Sequence, residues 1–270
     1  MFSDGGDKGT DGIGDMSFID SWLGKVANMD CLDFMAQAPD ACVDLVVTSP
    51  PYPGVDAMWG ELFAPENFEQ AHEWLGKVWA ECVRILRPGC KLAINIANTE
   101  RRPYLPNAAK LYQTVPAEPL GEIIWHKGLC NHGTAWGSYR NPSDPSLTDH
   151  HEYIVIFRKD GERAKQPGYF IDKADFLEWR NTLWKFETAK AGKVGHCAPF
   201  PEILPYRLIQ LYSYPGEVVF DPFMGAGTTA IAAERLGRKW CGTEINAEYA
   251  DLANKRIERA REQGKLEFEG

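Results

Sequence analysis

The sequence predicts an α/β fold: a mostly parallel sheet with helices on both faces. Three observations carry that expectation. CVDLVVT (42–48) is an apolar run with several β-branched residues. A strand without polar alternation is buried on both faces, as strands of parallel sheets are. EVVFD (217–221), the turn PFMGAG, the helical TTAIAAERLG and the strand KWCGTE (239–244) form a β-turn-α-β unit, which implies parallel strands joined by a crossover. Leu75, Val78, Trp79, Cys82, Ile85 and Leu86 recur at helical spacing and mark a long helix with one buried face.

The elements follow in order. Residues 1–16, rich in Gly and Asp, read as a flexible tail, and 17–270 as one domain. VANMDCLDFM (26–35) leads through a short polar helix or turn into the CVDLVVT strand. Ser49-Pro50-Pro51-Tyr52-Pro53-Gly54 ends that strand, because three prolines and a glycine forbid continuation. Asn67 is a candidate cap for a helix running to about Leu86, which Arg87-Pro88-Gly89 closes. CKLAINIAN (90–98), EIIWHK (122–127) and EYIVIFRK (152–159) are the next strands. Residues 160–193 are weakly periodic and basic. A helix from about Pro201 to Tyr212 precedes the β-turn-α-β unit. The last helix opens near Asn246, with Ala250, Ala253, Ile257 and Ala260 on one face.

Composition narrows the function classes. The 270 residues are 44% hydrophobic and 25% charged, ordinary for a globular protein. No apolar run approaches the length of a spanning helix, and MFSDGGDKGTDGIGD has neither the basic start nor the apolar core of a secretory signal. Seven scattered cysteines without a CxxC pair argue against a zinc site and a disulfide framework and fit a reducing cytoplasm. No metal is expected. A net charge of −9 would repel phosphates if it were spread evenly. It is not: residues 1–83 carry −12, 84–193 carry +5, 194–216 balance, and 217–270 carry −2.

Asp221-Pro222-Phe223-Met224-Gly225-Ala226-Gly227-Thr228 joins a strand to a helix. Glycines there let backbone approach a ligand, and helix N-terminal amides face it. Glu244 ends the following strand, where a carboxylate can accept from both hydroxyls of a ribose. The turn is not GxGxxG. Ser49-Pro50-Pro51-Tyr52 ends another strand, and ligands of open α/β sheets bind beyond carboxyl ends. Prolines lack N–H groups and leave carbonyls held in fixed directions. With the Ser49 hydroxyl and the Tyr52 ring, that set suits an exocyclic amine on a planar, unstacked base.

Together these residues resemble the amino-group DNA methyltransferases, which methylate N4 of cytosine or N6 of adenine. With SPPY (49–52) before DPFMGAGTT (221–229), the order is similar to the permuted β group, over roughly residues 28–260. NMDCLDFM, LRPGCKLAINIAN, EIIWHK, HHEYIVIFRK and HCAPFPEILPYRLI resemble its lesser segments, although Asn28-Met29 precede Asp30 where a glycine is more usual. The resemblance implies a Rossmann-like S-adenosylmethionine-dependent methyltransferase fold with circularly permuted motif order. Its catalytic half spans about 26–159, a small target-recognition insert about 160–193, and the cofactor half about 194–263.

It also implies roles. Phe223, Gly225, Gly227 and Thr228 would line the methionine part of S-adenosylmethionine, with Asp221 near its amino group. Glu244 would hold the ribose, Asp30 and Cys31 would lie near the adenine, and His196, Pro199 and Phe200 would flank the cofactor. Ser49, Pro50, Pro51 and Tyr52 would hold the flipped base for direct SN2 transfer. No cysteine follows a proline, which argues against a nucleophilic cysteine. Serine at the head of the tetrapeptide resembles the N4-cytosine branch, and N6 of adenine is the alternative.

The basic middle segment, with Arg101, Arg102, Lys127, Arg140 and Lys185 as phosphate contacts and Trp136, Tyr139, Trp179 and Trp184 interleaved, is expected to face double-stranded DNA. Arg158 and Lys110 belong to the same expectation. The resemblance further implies a place in the cytoplasm, at the nucleoid, of a prokaryote or phage host. A homodimer and a cognate restriction endonuclease are partners it allows. Other classes stay open at this point: an RNA or small-amine methyltransferase, a nicotinamide oxidoreductase (against which the missing GxGxxG stands), and a non-catalytic DNA-binding module of the same fold.

Overall fold

A computed structural model describes residues 16–54, 60–99, 104–128, 137–188 and 200–268. The strands are β1 (Val26–Ala27), β2 (Val43–Thr48), β3 (Leu86–Ile96), β4 (Glu118–His126), β5 (His151–Arg158), β6 (Leu183–Lys185), β7 (Val218–Asp221) and β8 (Lys239–Thr243). They form one sheet in the order β1-β8-β7-β2-β3-β5-β4-β6. The first five pair in parallel. β5 runs antiparallel between β3 and β4, and β6 extends the edge parallel to β4.

The helices are α1 (Ser17–Trp22), α2 (Cys31–Met35), α3 (Phe68–Ile85), α4 (Asn107–Thr114), α5 (Lys173–Trp179), α6 (Ile203–Tyr212), α7 (Thr228–Arg235) and α8 (Ala247–Phe268). Strand β2 shows why they cover both faces. Val43 and Val46 pack with Phe34 of α2, Leu75 and Trp79 of α3, and Leu111 of α4. Leu45 and Val47 pack with Leu208 of α6, Ala232 of α7 and Ala253 of α8. Every residue of β2 is buried, Asp44 among them, as a largely apolar strand covered on both faces requires.

Two local expectations are corrected. Asn67 does not cap α3 through its side chain; its Nδ2 donates to the Glu61 carbonyl, and a short 3-10 turn leads into the helix. Arg87-Pro88-Gly89 does not separate helix from strand: β3 begins at Leu86, directly after Ile85. The weakly periodic 160–193 supplies α5 and the edge strand β6. Asp172 caps α5, accepting from Ala174 N at 2.7 Å. Among the described residues, no helix is long and apolar enough to cross a membrane, and Cys31, Cys42, Cys82, Cys90 and Cys241 are free, buried thiols.

Candidate active site

The parallel pairing of β2 with β7 sets the two motif-bearing turns side by side at one end of the sheet. Thr48, the last residue of β2, donates from Oγ1 to Asp221 Oδ1 at 2.7 Å. Thr229 Oγ1 donates to Asp221 Oδ2 at 2.6 Å, and Phe223 N to Oδ1 at 3.0 Å. Asp221 is 1% exposed. Burial pushes its carboxyl up to about 6 against the pull of those three donors, and Glu244 adds a smaller upward push. Its oxygens are thus committed to the protein, and its effect on a ligand is through the turn it shapes.

Gly225 and Gly227 in that turn adopt φ +52° and +81°, values open to glycine without strain. A Cβ on Gly227 would meet Ala253 Cβ at 3.1 Å and Ile257 Cδ1 at 3.2 Å. That glycine therefore serves close packing of the turn on α8 rather than only approach to a ligand. Arg256 of α8 donates to the Ala226 carbonyl, holding the turn from behind. Gly242 in β8 is a second close-approach glycine, since a Cβ there would lie 2.6 Å from the Asp221 carbonyl oxygen. Phe223 is half-buried, its ring centroid 6.0 Å from that of Trp74 and 6.3 Å from that of Trp79. Thr228 and Thr229 open α7 and are buried.

Glu244 follows β8. Gly225 N donates to its Oε2 at 2.9 Å and Asn246 N to its Oε1 at 2.8 Å. Burial raises its carboxyl above the ordinary value, while these amides lower it. Each oxygen keeps a further lone pair, which suits a vicinal diol, so the side chains present fit the ribose of a nucleoside cofactor. Strand β1 brings the Asp30 segment alongside: Glu244 N donates to the Ala27 carbonyl at 3.0 Å, and Asn28 Nδ2 donates to the Glu244 carbonyl at 2.8 Å. The Asn28 side chain thus adds a tie between the two segments. Asp30 Oδ1 accepts from Leu32 N at 2.7 Å and caps α2. Cys31 is 4% exposed and sits in the core, where burial pushes its thiol to about 12. It is a packing residue, and its expected place beside the adenine rests on Asp30 alone.

At the other turn Pro50 is buried, and Ser49, Pro51 and Tyr52 are half-buried. Ser49 Oγ lies 2.9 Å from the Tyr52 hydroxyl. Tyr52 donates to Glu152 Oε2 at 3.0 Å. Asn95 Nδ2 donates to the Tyr52 oxygen at 2.8 Å and to Glu152 Oε2 at 2.7 Å. Lys127 Nζ pairs with Glu152 Oε1 at 3.3 Å. Burial, then the Glu152 charge, holds the Tyr52 hydroxyl well above its usual range. Asn95 and Glu152 are site residues that sequence reasoning missed. Asn95 lies near the end of a strand already assigned, and Glu152 reaches the site only because β5 is antiparallel.

The expected DNA contacts fare unevenly. Lys127 pairs with Glu152 and its side chain is 15% exposed, so its charge is compensated beside the Ser49–Tyr52 turn instead of being presented to a phosphate. Arg158 pairs with Glu118, and Lys110 with Glu69 at 2.7 Å. Trp179 and Trp184 are buried around Arg207 and fill the core. Arg140, at φ +56°, and Lys185 on β6 are exposed. Phe200 packs half-buried on the core cluster under α6. His196, Pro199, Arg101, Arg102 and Trp136 lie outside the described residues.

A family model described as DNA methylase, for N6 and N4 methylation, matches residues 43–255. The Type II methyltransferase M.MthZI of Methanothermobacter thermautotrophicus is 33% identical over 83% of this chain and 73% of its own length. M.MjaI of Methanocaldococcus jannaschii is 31% identical over 83% and 88%. Among solved structures, a DNA modification methylase from Thermus thermophilus, complexed with S-adenosyl-L-methionine, superposes with a TM-score of 0.71 at 32% identity, covering 87% of this chain and 93% of that one. The cytosine-N4-specific PvuII DNA methyltransferase, at 18% identity and a TM-score of 0.65, shares the fold.

Proposed function

This chain belongs to the N6/N4 DNA methylase family, and from that premise we propose that it transfers a methyl group from S-adenosylmethionine to the exocyclic N4 of cytosine in duplex DNA. When bound, S-adenosylmethionine supplies an electrophilic methyl group. The chain's own work is then to hold the cofactor, extract the base and orient its amine. Glu244 accepts from the ribose hydroxyls, and Phe223, Gly225, Gly227 and Thr228 border the methionine part. Asp30 borders the adenine. Ser49 Oγ and the Pro50 carbonyl accept hydrogen bonds from the target amine and leave its lone pair directed at the methyl group. The Tyr52 ring stacks on the flipped base.

One observation carries the choice of cytosine: the residue at the head of the tetrapeptide is a serine, a neutral acceptor, seated on the hydroxyl of Tyr52 at 2.9 Å. The 160–193 segment, with α5 and the exposed Lys185, serves as a compact recognition insert in this reading, Arg140 supplies a further phosphate contact, and a second copy of the chain and a cognate endonuclease complete a restriction-modification pair at the nucleoid. The test is incubation of the protein with labelled cofactor and mixed duplex DNA, followed by nucleoside mass spectrometry. Labelled N4-methylcytosine supports the reading. Labelled N6-methyladenine moves the target base, and label in RNA or free amines alone removes DNA as substrate.

A further inference from the structure

We propose that Glu152 and Asn95 are positioning residues that lock the Ser49 hydroxyl as a hydrogen-bond acceptor toward the target, so that the site selects an amino group over a carbonyl. The inference rests on the reading above, in which Ser49 meets the target base.

A carboxylate only accepts. Glu152 is paired with Lys127 at 3.3 Å, with both side chains about 15% exposed or less, so the charge is compensated inside the fold. Tyr52, 3.0 Å from Glu152 Oε2, must therefore donate its single proton there. Asn95 has its amide orientation fixed by the same carboxylate. Its nitrogen faces Glu152 at 2.7 Å, where its oxygen would be repelled, and its second N–H goes to the Tyr52 oxygen at 2.8 Å. Asn95 Oδ1 is buried without a partner among the described residues, which is what this imposed orientation leaves behind. The Tyr52 oxygen has thus given away its proton, and one of its two lone pairs is taken by Asn95. Ser49, 2.9 Å away, fills the other by donating. Once Ser49 donates to Tyr52, its oxygen carries only lone pairs; Asn95 Nδ2 approaches it at 3.5 Å, a long contact that leaves at least one lone pair for a ligand. An exocyclic amine presents hydrogens to that oxygen. The carbonyl oxygens of thymine or guanine in the same place present lone pairs and are turned away.

The test compares wild type with Glu152→Gln, Tyr52→Phe and the double variant, using labelled S-adenosylmethionine and unmethylated duplex DNA. Glutamine can present an N–H to Tyr52 and reverse the chain of donors. Glu152→Gln is expected to lower kcat about 10²-fold, as loss of one oriented polar contact does, with the Kd for S-adenosylmethionine and the KM for DNA within about twofold of wild type. Because Glu152 acts through the Tyr52 hydroxyl, adding Glu152→Gln to Tyr52→Phe is expected to cost less than about threefold more. A kcat within about threefold of wild type for Glu152→Gln, or losses that multiply in the double variant, overturns the inference. Should Glu152→Gln fail to fold, Tyr52→Phe decides alone, since the proposal requires at least about a tenfold loss in kcat when the hydroxyl is removed and the ring kept. Nucleoside analysis keeps the two readings apart: N6-methyladenine from the wild type overturns the choice of cytosine and leaves the comparison of variants intact.

Discussion

Thr48 and Asp221, 173 positions apart in the chain, share a 2.7 Å hydrogen bond from Oγ1 to Oδ1. Thr48 precedes Ser49 directly, and Asp221 opens the glycine turn, so one contact joins the Ser49–Tyr52 turn to the Asp221–Gly227 turn. Neither residue is exposed. The bond is charge-assisted and dry, the setting in which a hydrogen bond contributes most.

Thr48→Val keeps the shape and β-branching of the side chain and deletes that donor. The buried carboxylate then has two donors instead of three. The expected loss of stability is about 1–3 kcal/mol, or roughly 2–10 °C in Tm. Methyl transfer is expected to fall further than cofactor affinity, because the two turns lose their direct tie. Thermal denaturation and turnover measured on the same preparation check both parts. A variant with wild-type Tm and wild-type kcat would show the tie to be idle.

Asp221→Asn addresses charge instead of contact. Burial raises the Asp221 carboxyl to about 6 in the fold, above its ordinary value near 3.8. The folded state therefore binds the proton more tightly than the unfolded chain, and this group's contribution to stability falls as pH rises between about 4 and 6, then stays level. The displacement corresponds to on the order of 3 kcal/mol. An asparagine carries no such penalty. The Tm of Asp221→Asn minus that of wild type is accordingly expected to increase from about pH 4.5 to about pH 6.5 and to plateau above. A difference that is flat across this window contradicts a raised carboxyl.

Glu244→Gln tests the cofactor site. The glutamate accepts from Gly225 N on one oxygen and Asn246 N on the other. A glutamine has one carbonyl oxygen, so one of the two amides loses its acceptor and one ribose hydroxyl loses its charged partner. Affinity for S-adenosylmethionine is expected to drop about 10- to 100-fold, in line with a hydrogen bond to a charged group, as isothermal titration would read. The Ser49-Tyr52-Glu152 cluster is unaffected by this change, so kcat at saturating cofactor is expected to stay within about threefold. Wild-type affinity in this variant would remove Glu244 from the cofactor site.

These contacts also mark where sequence reasoning reaches and stops. The largely apolar runs of β2 and β7, and the turns that end them, were legible because burial on both faces and chain breakers leave local signatures. So was Glu244, placed by its distance from the glycine turn along the chain. Glu152 was not, because whether EYIVIFRK runs parallel or antiparallel is decided by pairing with β3 and β4, not by its own composition. The pairing of Ile96 with Tyr153 puts the start of β5 at the end of β3, and only then do Asn95 and Glu152 meet. Lys127 was misassigned for the same reason: its partner lies on a neighbouring strand. The edge strand β6 escaped notice because three residues are too few to show a period.

Gly227→Ala separates two reasons for a glycine. At φ +81° an alanine is strained, and its Cβ would also press on Ala253 at 3.1 Å and Ile257 at 3.2 Å. Gly237 provides the comparison: its φ is +66°, and a Cβ there meets nothing within 4 Å. Gly237→Ala is therefore expected to carry only the backbone strain, about 1–2 kcal/mol. Gly227→Ala adds crowding against α8, on the order of 1–3 kcal/mol more. Its Tm is expected to lie several degrees below that of Gly237→Ala, and its affinity for S-adenosylmethionine to fall as the turn is pushed off the helix. Equal Tm values for the two variants would mean that α8 yields freely. The close approach of Gly227 to Ala253 would then not be what holds the turn in place.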